Sequence, residues 1–351
     1  MNKSQGDNYF QVATPSGNVA PHESTTFTKD NIQQLGVDAW LSQICDKTPH
    51  LSTCEIRMHD VSYTATVKPS DARIQTLASA FNITSSRSKA ETKFILKNIN
   101  AIFKPGTMTL VLGPPGCGKT TLLKHLAGIL HIKGKEELLG SVTYNGWKPD
   151  QVDLSSLAAY VEQSDNHFPT LTVKETFEFA HKCLVGTVDS NDSLAANEEH
   201  AVDILISVLG LTECTDTIIG DDMVRGVSGG QKRRVTLGEM LTGHASALLL
   251  DEFSNGLDAS TAYDIAKVIR SMANILGNTV VMSMLQPPPE VYDLFDNILV
   301  LDKGQVIYNG PRTELPAYFE FIGYVCPPRK DMADFLQEVT THLGERFFLP
   351  Q

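Results

Sequence analysis

The chain has 351 residues, 42% of them hydrophobic, and its 41 acidic against 29 basic side chains give a net charge of −12. This allows a sizeable globular core, as about two domains or one with a long tail, and the acidic balance argues against a general nucleic-acid binder. Six cysteines, Cys45, Cys54, Cys117, Cys183, Cys214 and Cys326, stand apart without C-x-x-C spacing, which fits reduced thiols in a cytosolic compartment and needs no disulfide framework.

Residues 1–50 are polar and are expected to form a mobile tail, with a short apolar patch from Leu35 to Ile44 as a helix candidate. The N-terminus lacks the basic start and apolar core of a signal peptide. From Cys54 to Val67 apolar and polar residues alternate, which predicts an antiparallel strand; Tyr63 there is an aromatic that could stack on a base but reads more simply as core. A polar insertion spans 68–93. Phe94 to Phe103 then leads through Pro105-Gly106 into Met108 to Leu112, a short buried strand, and the turn signal predicts a hairpin between the two.

After that strand come Gly113, Pro114, Pro115, Gly116, Cys117, Gly118, Lys119 and Thr120, the G-x-x-x-x-G-K-[ST] pattern, with Thr121 next. Leu122, Leu123, Leu126, Ala127 and Leu130 follow at helical spacing. A glycine-rich loop between strand and helix presents backbone N–H groups to phosphates, so the segment predicts binding of ATP or GTP. Lys119 would reach the terminal phosphates and Thr120 would ligate Mg²⁺. A helix N-terminus also lowers thiol pKa, so Cys117 is expected to be reactive and protected by nucleotide.

Gly140 to Gly146 reads as another strand between turns, and the early strands together suggest a small antiparallel sheet beside a parallel one. From Leu171 to Val235 the pattern is helical, with Val173, Phe177 and Ala180 on one face, Leu205, Val208 and Leu209 on another, and a polar stretch from Thr187 to His200 between them. Ser228-Gly229-Gly230-Gln231 has the form of a helix capping box, and its two glycines leave the helix start bare enough for a phosphate to approach. Lys232-Arg233-Arg234 reads as a solvated helical face. Ala247 to Leu250 is an apolar strand delivering Asp251, expected to hold Mg²⁺ through water, and Glu252, placed as general base for the attacking water.

Ser228-Gly229-Gly230-Gln231, standing shortly before the Asp251-Glu252 strand, resembles the signature sequence of ATP-binding cassette (ABC) proteins. The resemblance implies an α/β P-loop NTPase fold with a RecA-like parallel sheet core, an antiparallel β subdomain and an α-helical signature subdomain over about 167–240. It further implies that ATP is sandwiched head to tail between the P-loop of one nucleotide domain and the signature of a second. Gln163, in Tyr160-Val161-Glu162-Gln163, resembles the Q-loop glutamine that contacts metal or water. Asn255-Gly256-Leu257-Asp258 resembles the D-loop with its aspartate.

The C-terminal third resembles the G subfamily. Ser283-Met284-Leu285-Gln286-Pro287 closes a strand from Thr279 to Met284, and Glu290 to Asp296 follows; then come Ile298 to Leu301, an Asp302-Lys303-Gly304 turn, Gln305 to Tyr308, Tyr318-Phe319-Glu320, Cys326-Pro327-Pro328 and Ala333 to Leu336. This succession is similar to the N-terminal nucleotide domain of full-size pleiotropic drug resistance transporters over about residues 55–345. Where ABC domains generally carry a switch histidine before Gln-Pro this chain has Leu285, which cannot hydrogen-bond phosphate and implies slower turnover.

The expected organisation is therefore a tail over 1–50, a nucleotide-binding domain over 51–345 and, over 346–351, the lead-in to a membrane-spanning domain that the chain lacks. No apolar run reaches the roughly 18 residues of a membrane span, so the chain is expected to be soluble by itself and to sit on the cytoplasmic face of a membrane through that missing part or a partner. The expected function is ATP hydrolysis, with ATP and Mg²⁺, powering export of a substrate. Two alternatives stay open: an ATP-binding interaction module with little hydrolysis, and a soluble ABC ATPase acting on ribosomes or DNA.

Overall fold

A computed structural model describes residues 37–38, 41–42, 45, 53–67, 91–185, 195–243 and 245–348. The expected tail over 1–50, the insertion over 68–93 and the polar stretch after Thr187 lie largely outside the described residues, as does the end of the 346–351 segment.

Three strands, β1 (Ile56–Val67), β2 (Glu91–Phe103) and β4 (Glu137–Tyr144), form an antiparallel sheet in the order β2-β1-β4. Six others form the main sheet: β3 (Met108–Leu112), β5 (Ala158–Val161), β6 (Ala247–Asp251), β7 (Thr279–Ser283), β8 (Asn297–Asp302) and β9 (Gln305–Pro311). Their order is β5-β6-β7-β3-β8-β9, all pairs parallel except β8 with β9.

The expected hairpin between β2 and β3 does not form. Pro105-Gly106 makes the turn, yet β2 pairs with β1 while β3 lies between β7 and β8. The sequence pattern of each strand gives the reason. In β2 burial alternates, with Ile99, Ala101 and Phe103 inside and Asn100 and Ile102 outside, as suits a sheet with one wet face. All five residues of β3 are buried, which requires cover on both faces and partners on both edges.

The main sheet is covered on both sides, and its strands sort their side chains alternately between two cores. Leu110, Leu250, Met282 and Val300 face one core, shared with Val173, Phe177, Val235, Leu237 and Ile269 of the helices. Val111, Leu249, Val281 and Leu299 face the other, shared with Leu122, Leu123 and Leu126 and with Ile99, Ala101 and Phe103 of the antiparallel sheet.

The helices follow their periodicity. In chain order they are α1 (Lys119–Leu126), the single turn α2 (Leu154–Leu157), α3 (Val173–Leu184), α4 (Ala195–Val208), α5 (Gly229–Leu241) and α6 (Ala259–Leu276). The short α7 (Pro289–Tyr292), α8 (Leu315–Phe321) and α9 (Met332–Val339) follow. Thr172 and Glu175 close a capping box on α3, and α6 buries Ala262, Ile265, Ala266, Ile269 and Ala273 along one stripe before Gly277 ends it in the left-handed region at φ 74°. Asp296 fixes the entry of β3: it accepts from the Met108 N–H at 2.9 Å and from both terminal guanidinium nitrogens of Arg270, Nη1 and Nη2.

Candidate functional site

Adjacency of β6, β7 and β3 sets the site. Asp251 pairs in register with Ser283 and Val111 with the same serine, so the ends of three strands and the loop after β3 meet at one sheet edge. In parallel sheets that carboxyl edge is where ligands bind.

The loop Gly113 to Gly118 could be built only with glycine at two of its positions. A Cβ on Gly113 would lie 2.3 Å from Leu301 O and 2.7 Å from Cys117 Sγ, and one on Gly118, at φ 113°, would lie 2.9 Å from Leu96 Cδ2. Gly118 is the N-cap of α1 and supplies no side-chain acceptor, and no acidic residue occupies the first turn. The N–H groups of that turn therefore have neither intrahelical partners nor a cap, the arrangement that attracts an anion. Pro114 and Pro115 contribute no N–H, so the donors of the cradle begin at Gly116. Lys119 is 5% exposed and donates from Nζ to Gly113 O at 2.8 Å and Pro114 O at 3.4 Å. Its ammonium is held over the loop by neutral carbonyls. Thr120 and Thr121 follow, half-buried, in the same turn.

Cys117 departs from expectation. It is 3% exposed, and burial pushes its thiol above the ordinary value, outweighing the opposite pull of Lys119. A side chain turned into the core beneath the loop gains less from the helix terminus than it loses by desolvation.

Asp251 is fully buried; its Oδ1 accepts from Ser283 Oγ at 2.5 Å and its Oδ2 from Tyr160 OH at 3.3 Å. Burial, with Asp251 next, raises the Tyr160 phenol far above its usual range, so it stays a donor. The partners found for this carboxylate among the described residues are hydroxyls, and a buried carboxylate with no cation is costly. Together with the hydroxyl of Thr120 and the amide of Gln163 on neighbouring elements, this donor set fits Mg²⁺, which takes oxygen ligands and keeps water. Glu252 sits just beyond the strand at φ 46°, a left-handed conformation unusual for glutamate. Its N–H donates to Ser283 O and is near Ser283 Oγ, each at 3.0 Å. Its Oε2 accepts from Gln163 Nε2 at 2.8 Å and Asn255 Nδ2 at 3.0 Å. Residues 89 positions apart in sequence are thus joined directly.

The side chains of Ser228 and Gln231 in the signature segment bond to each other rather than to this cluster. Ser228 caps α5, accepting from Gln231 N at 3.3 Å, while Gln231 Oε1 accepts from Ser228 N at 2.8 Å. The capping-box reading is thus realised. Gly229 is exposed, and a Cβ there would meet nothing within 4 Å. Packing inside the chain gives no reason for glycine at that position, and Gly230 is similarly unobstructed, its closest neighbour being Gly256 O at 3.5 Å. Asp258 caps α6 through Thr261, and those bonds hold its carboxyl below the usual range.

The basic triplet after the signature is no solvated face. Arg233 is 1% exposed, Lys232 Nζ donates to Gly220 O at 3.0 Å, and Arg234 Nη1 donates to Leu209 O and Gly210 O, each at 3.0 Å. Projecting the helical spacing of Leu237 and Leu241 back by about one turn would have put position 233 inside. Tyr63 is core, 7% exposed, with its hydroxyl on Glu136 Oε2 at 2.8 Å. Phe94 of β2, by contrast, is 51% exposed and lines a cleft of about 920 Å³ with Pro114, Pro115, Gly116 and Lys303. Alternation did not signal it, because Leu96, two residues on, is fully buried.

Residues 96–255 match the ABC transporter family. The chain is 40% identical over 352 residues to ABC transporter G family member 35 of Oryza sativa subsp. japonica, covering 92% of this chain and 24% of that protein. It is 44% identical over 295 residues to Pleiotropic drug resistance protein 1 of Nicotiana tabacum, covering 76% of this chain and 20% of that protein. Among solved structures, the ATP-binding cassette MJ0796, a dimer bound to ADP and Pi, aligns with a TM-score of 0.55 at 19% identity over 73% of this chain and 98% of that one. The protein carries a nucleotide-binding domain of the ABC transporter family, with the α/β P-loop fold of its cassettes. These two relatives, a G family member and a pleiotropic drug resistance protein, match over most of this chain, which spans only about a quarter of the length of the first and a fifth of the second. Among the described residues no helix is long and apolar enough to cross a membrane.

Proposed function

We propose that this domain binds Mg·ATP and hydrolyses it to drive export through a G-type transporter, as the N-terminal cassette of a full-size protein. The observation that carries the reading is the Gln163–Glu252 contact of 2.8 Å beside the buried Asp251 and the uncapped phosphate loop. The loop amides and Lys119 would take the β- and γ-phosphates, with Thr120, Gln163 and Asp251 about the metal, Asp251 through water. Mg²⁺ there would offset the charge of the transferring phosphoryl group. Glu252 would accept the proton of the attacking water, oriented with Gln163. Phe94, rather than Tyr63, would stack on the adenine, because its ring lies free beside the loop. Ser228, Gly229 and Gly230 would close over the triphosphate of a second cassette arranged head to tail; that the solved cassette is a dimer supports pairing with a second cassette.

Leu285, half-buried just past β7, favours slow turnover. No imidazole is available at that position to donate to the γ-phosphate. A nucleotide-binding module with little hydrolysis is the corresponding second reading.

Titration calorimetry with Mg·ATP and phosphate-release assays separate these. Lys119→Ala is expected to weaken ATP binding by about a hundredfold, the scale of a lost buried charge-assisted contact. Glu252→Gln is expected to retain ATP and lower turnover by about a hundredfold or more. Undiminished turnover in Glu252→Gln would remove the general base from this scheme, and stoichiometric ATP retention without phosphate release from a properly paired wild-type complex would favour the second reading.

A further inference from the structure

We infer that Arg233 is a positioning residue that, from the helix after the signature, holds the backbone on either side of the proposed catalytic carboxylate Glu252 and of its partner Gln163. The inference rests on the hydrolytic reading above and concerns contacts within this chain alone.

Arginine at this depth is expensive unless its donors are used. Here they are used on two segments at once. Nε donates to Phe253 O at 3.0 Å, and Nη2 to Asp251 O and Glu252 O, each at 3.2 Å. Nη1 donates to Glu162 O at 2.6 Å and to Asp165 Oδ1 at 3.0 Å, with Gln163 O at 3.4 Å. One planar group therefore grips three consecutive carbonyls around Glu252 and two around Gln163, the residues whose side chains meet at 2.8 Å. A left-handed glutamate persists only when its surroundings over-determine it. The bonds from Arg233 to carbonyls 251, 252 and 253 supply that constraint from one side of the strand end, while Ser283 holds the Glu252 N–H from another.

The same helix carries the signature. Ser228 caps α5 and Arg233 follows in its second turn, so the helix leaves Gly229 open to solvent at its start and turns the guanidinium to the hydrolytic centre just behind. Two further rungs extend the attachment along α5. Thr236 Oγ1 donates to Asp165 Oδ1 at 2.6 Å and lies 2.9 Å from His167 Nε2, and Glu239 Oε2 lies 3.0 Å from His167 Nδ1. Positions 233, 236 and 239 follow one another at helical spacing, so Asp165 and His167 of the segment 162–167 face the same side of α5.

The test combines a double-mutant cycle with hydrogen exchange on the full chain. Arg233→Lys keeps a cation but not the fork that reaches both segments. It is expected to lower kcat by about tenfold or more and to leave the Kd for Mg·ATP within about threefold, the split of a residue acting on the chemical step. In the Glu252→Gln background the same change should alter residual turnover by less than about twofold, because the group it positions is already gone. Without nucleotide, amide exchange in Arg233→Lys should rise by about tenfold in 162–167 and 252–256 and stay unchanged elsewhere. Three results overturn the inference: a full further loss of turnover in the Glu252→Gln background, an affinity that falls in step with kcat, or faster exchange spread over the whole main sheet. Each is the mark of a merely structural arginine. Should Arg233→Lys fail to fold, Asp165→Asn weakens the clamp at one rung and must still raise exchange in 162–167. If the wild-type chain paired with its second cassette shows no turnover, the hydrolytic reading falls, and the exchange pattern alone decides whether Arg233 holds the two segments.

Discussion

Replacing Phe94 with alanine should separate recognition of the base from recognition of the phosphates. The ring is 51% exposed on β2, and a phenylalanine side chain presents about 200 Å² in all, so about 100 Å² is free. A base stacked on one face would cover about half of that, and about 50 Å² at about 25 cal/mol per Å² contributes roughly 1.3 kcal/mol. That agrees with the roughly 1–3 kcal/mol of a base stacked on an aromatic ring. The expected outcome is a Kd for Mg·ATP about tenfold weaker, with the affinity for inorganic triphosphate unchanged, both by titration calorimetry. Phe94→Tyr should behave as wild type, since the stacking face is retained. An equal loss for ATP and triphosphate would mean that the substitution distorts the loop, and no loss for either would place the base elsewhere; both results refute the argument.

The remaining expectations concern turnover, thiols and packing. Leu285→His should raise phosphate release by about tenfold or more if a donor at the γ-phosphate is what this site lacks; an unchanged rate would show that another step limits it. Burial pushes the Cys54 thiol up to about 11, so at about pH 8 only about one part in a thousand is thiolate, and Cys117 is raised in the same direction. Alkylation at about pH 8 followed by peptide mass mapping should therefore label the exposed Cys183 first and leave Cys54 and Cys117 unlabelled, with or without ATP; rapid, ATP-protected labelling of Cys117 would contradict its burial. Gly238 faces Phe177 so closely that a Cβ would fall 2.0 Å from Phe177 Cζ. Gly238→Ala should cost about 1–3 kcal/mol of overpacking, partly offset by about 1 kcal/mol of helix propensity, and lower the midpoint of thermal unfolding; a raised midpoint would show that the ring moves freely.

Local signals settled a good deal. The phosphate loop needs a strand, glycines and a helix start within a few residues, and all of these are neighbours in sequence, so Gly113 to Thr120 was legible with its backbone consequences. The same holds for the Ser228–Gln231 capping box and for Asp251 at the end of an apolar strand, because each follows from hydrogen bonds or alternation within a few residues. Burial, by contrast, is decided by elements distant along the chain. Whether Arg233 met water or the carbonyls of 251–253 depended on how α5 docks against the main sheet, and whether Cys117 or Tyr63 was free depended on the antiparallel sheet laid over α1. The hairpin expected at Pro105-Gly106 failed for the same reason: a turn fixes the chain's direction, while strand partners are chosen by which faces must be covered. Sequence alone thus determined the kinds of group brought to the phosphate edge and the local backbone that presents them. Only the tertiary structure decided that Gln163 meets Glu252, that Phe94 lies free and that Arg233 bonds the carbonyls on either side of that pair, since those contacts arise when separate elements bury their apolar faces together.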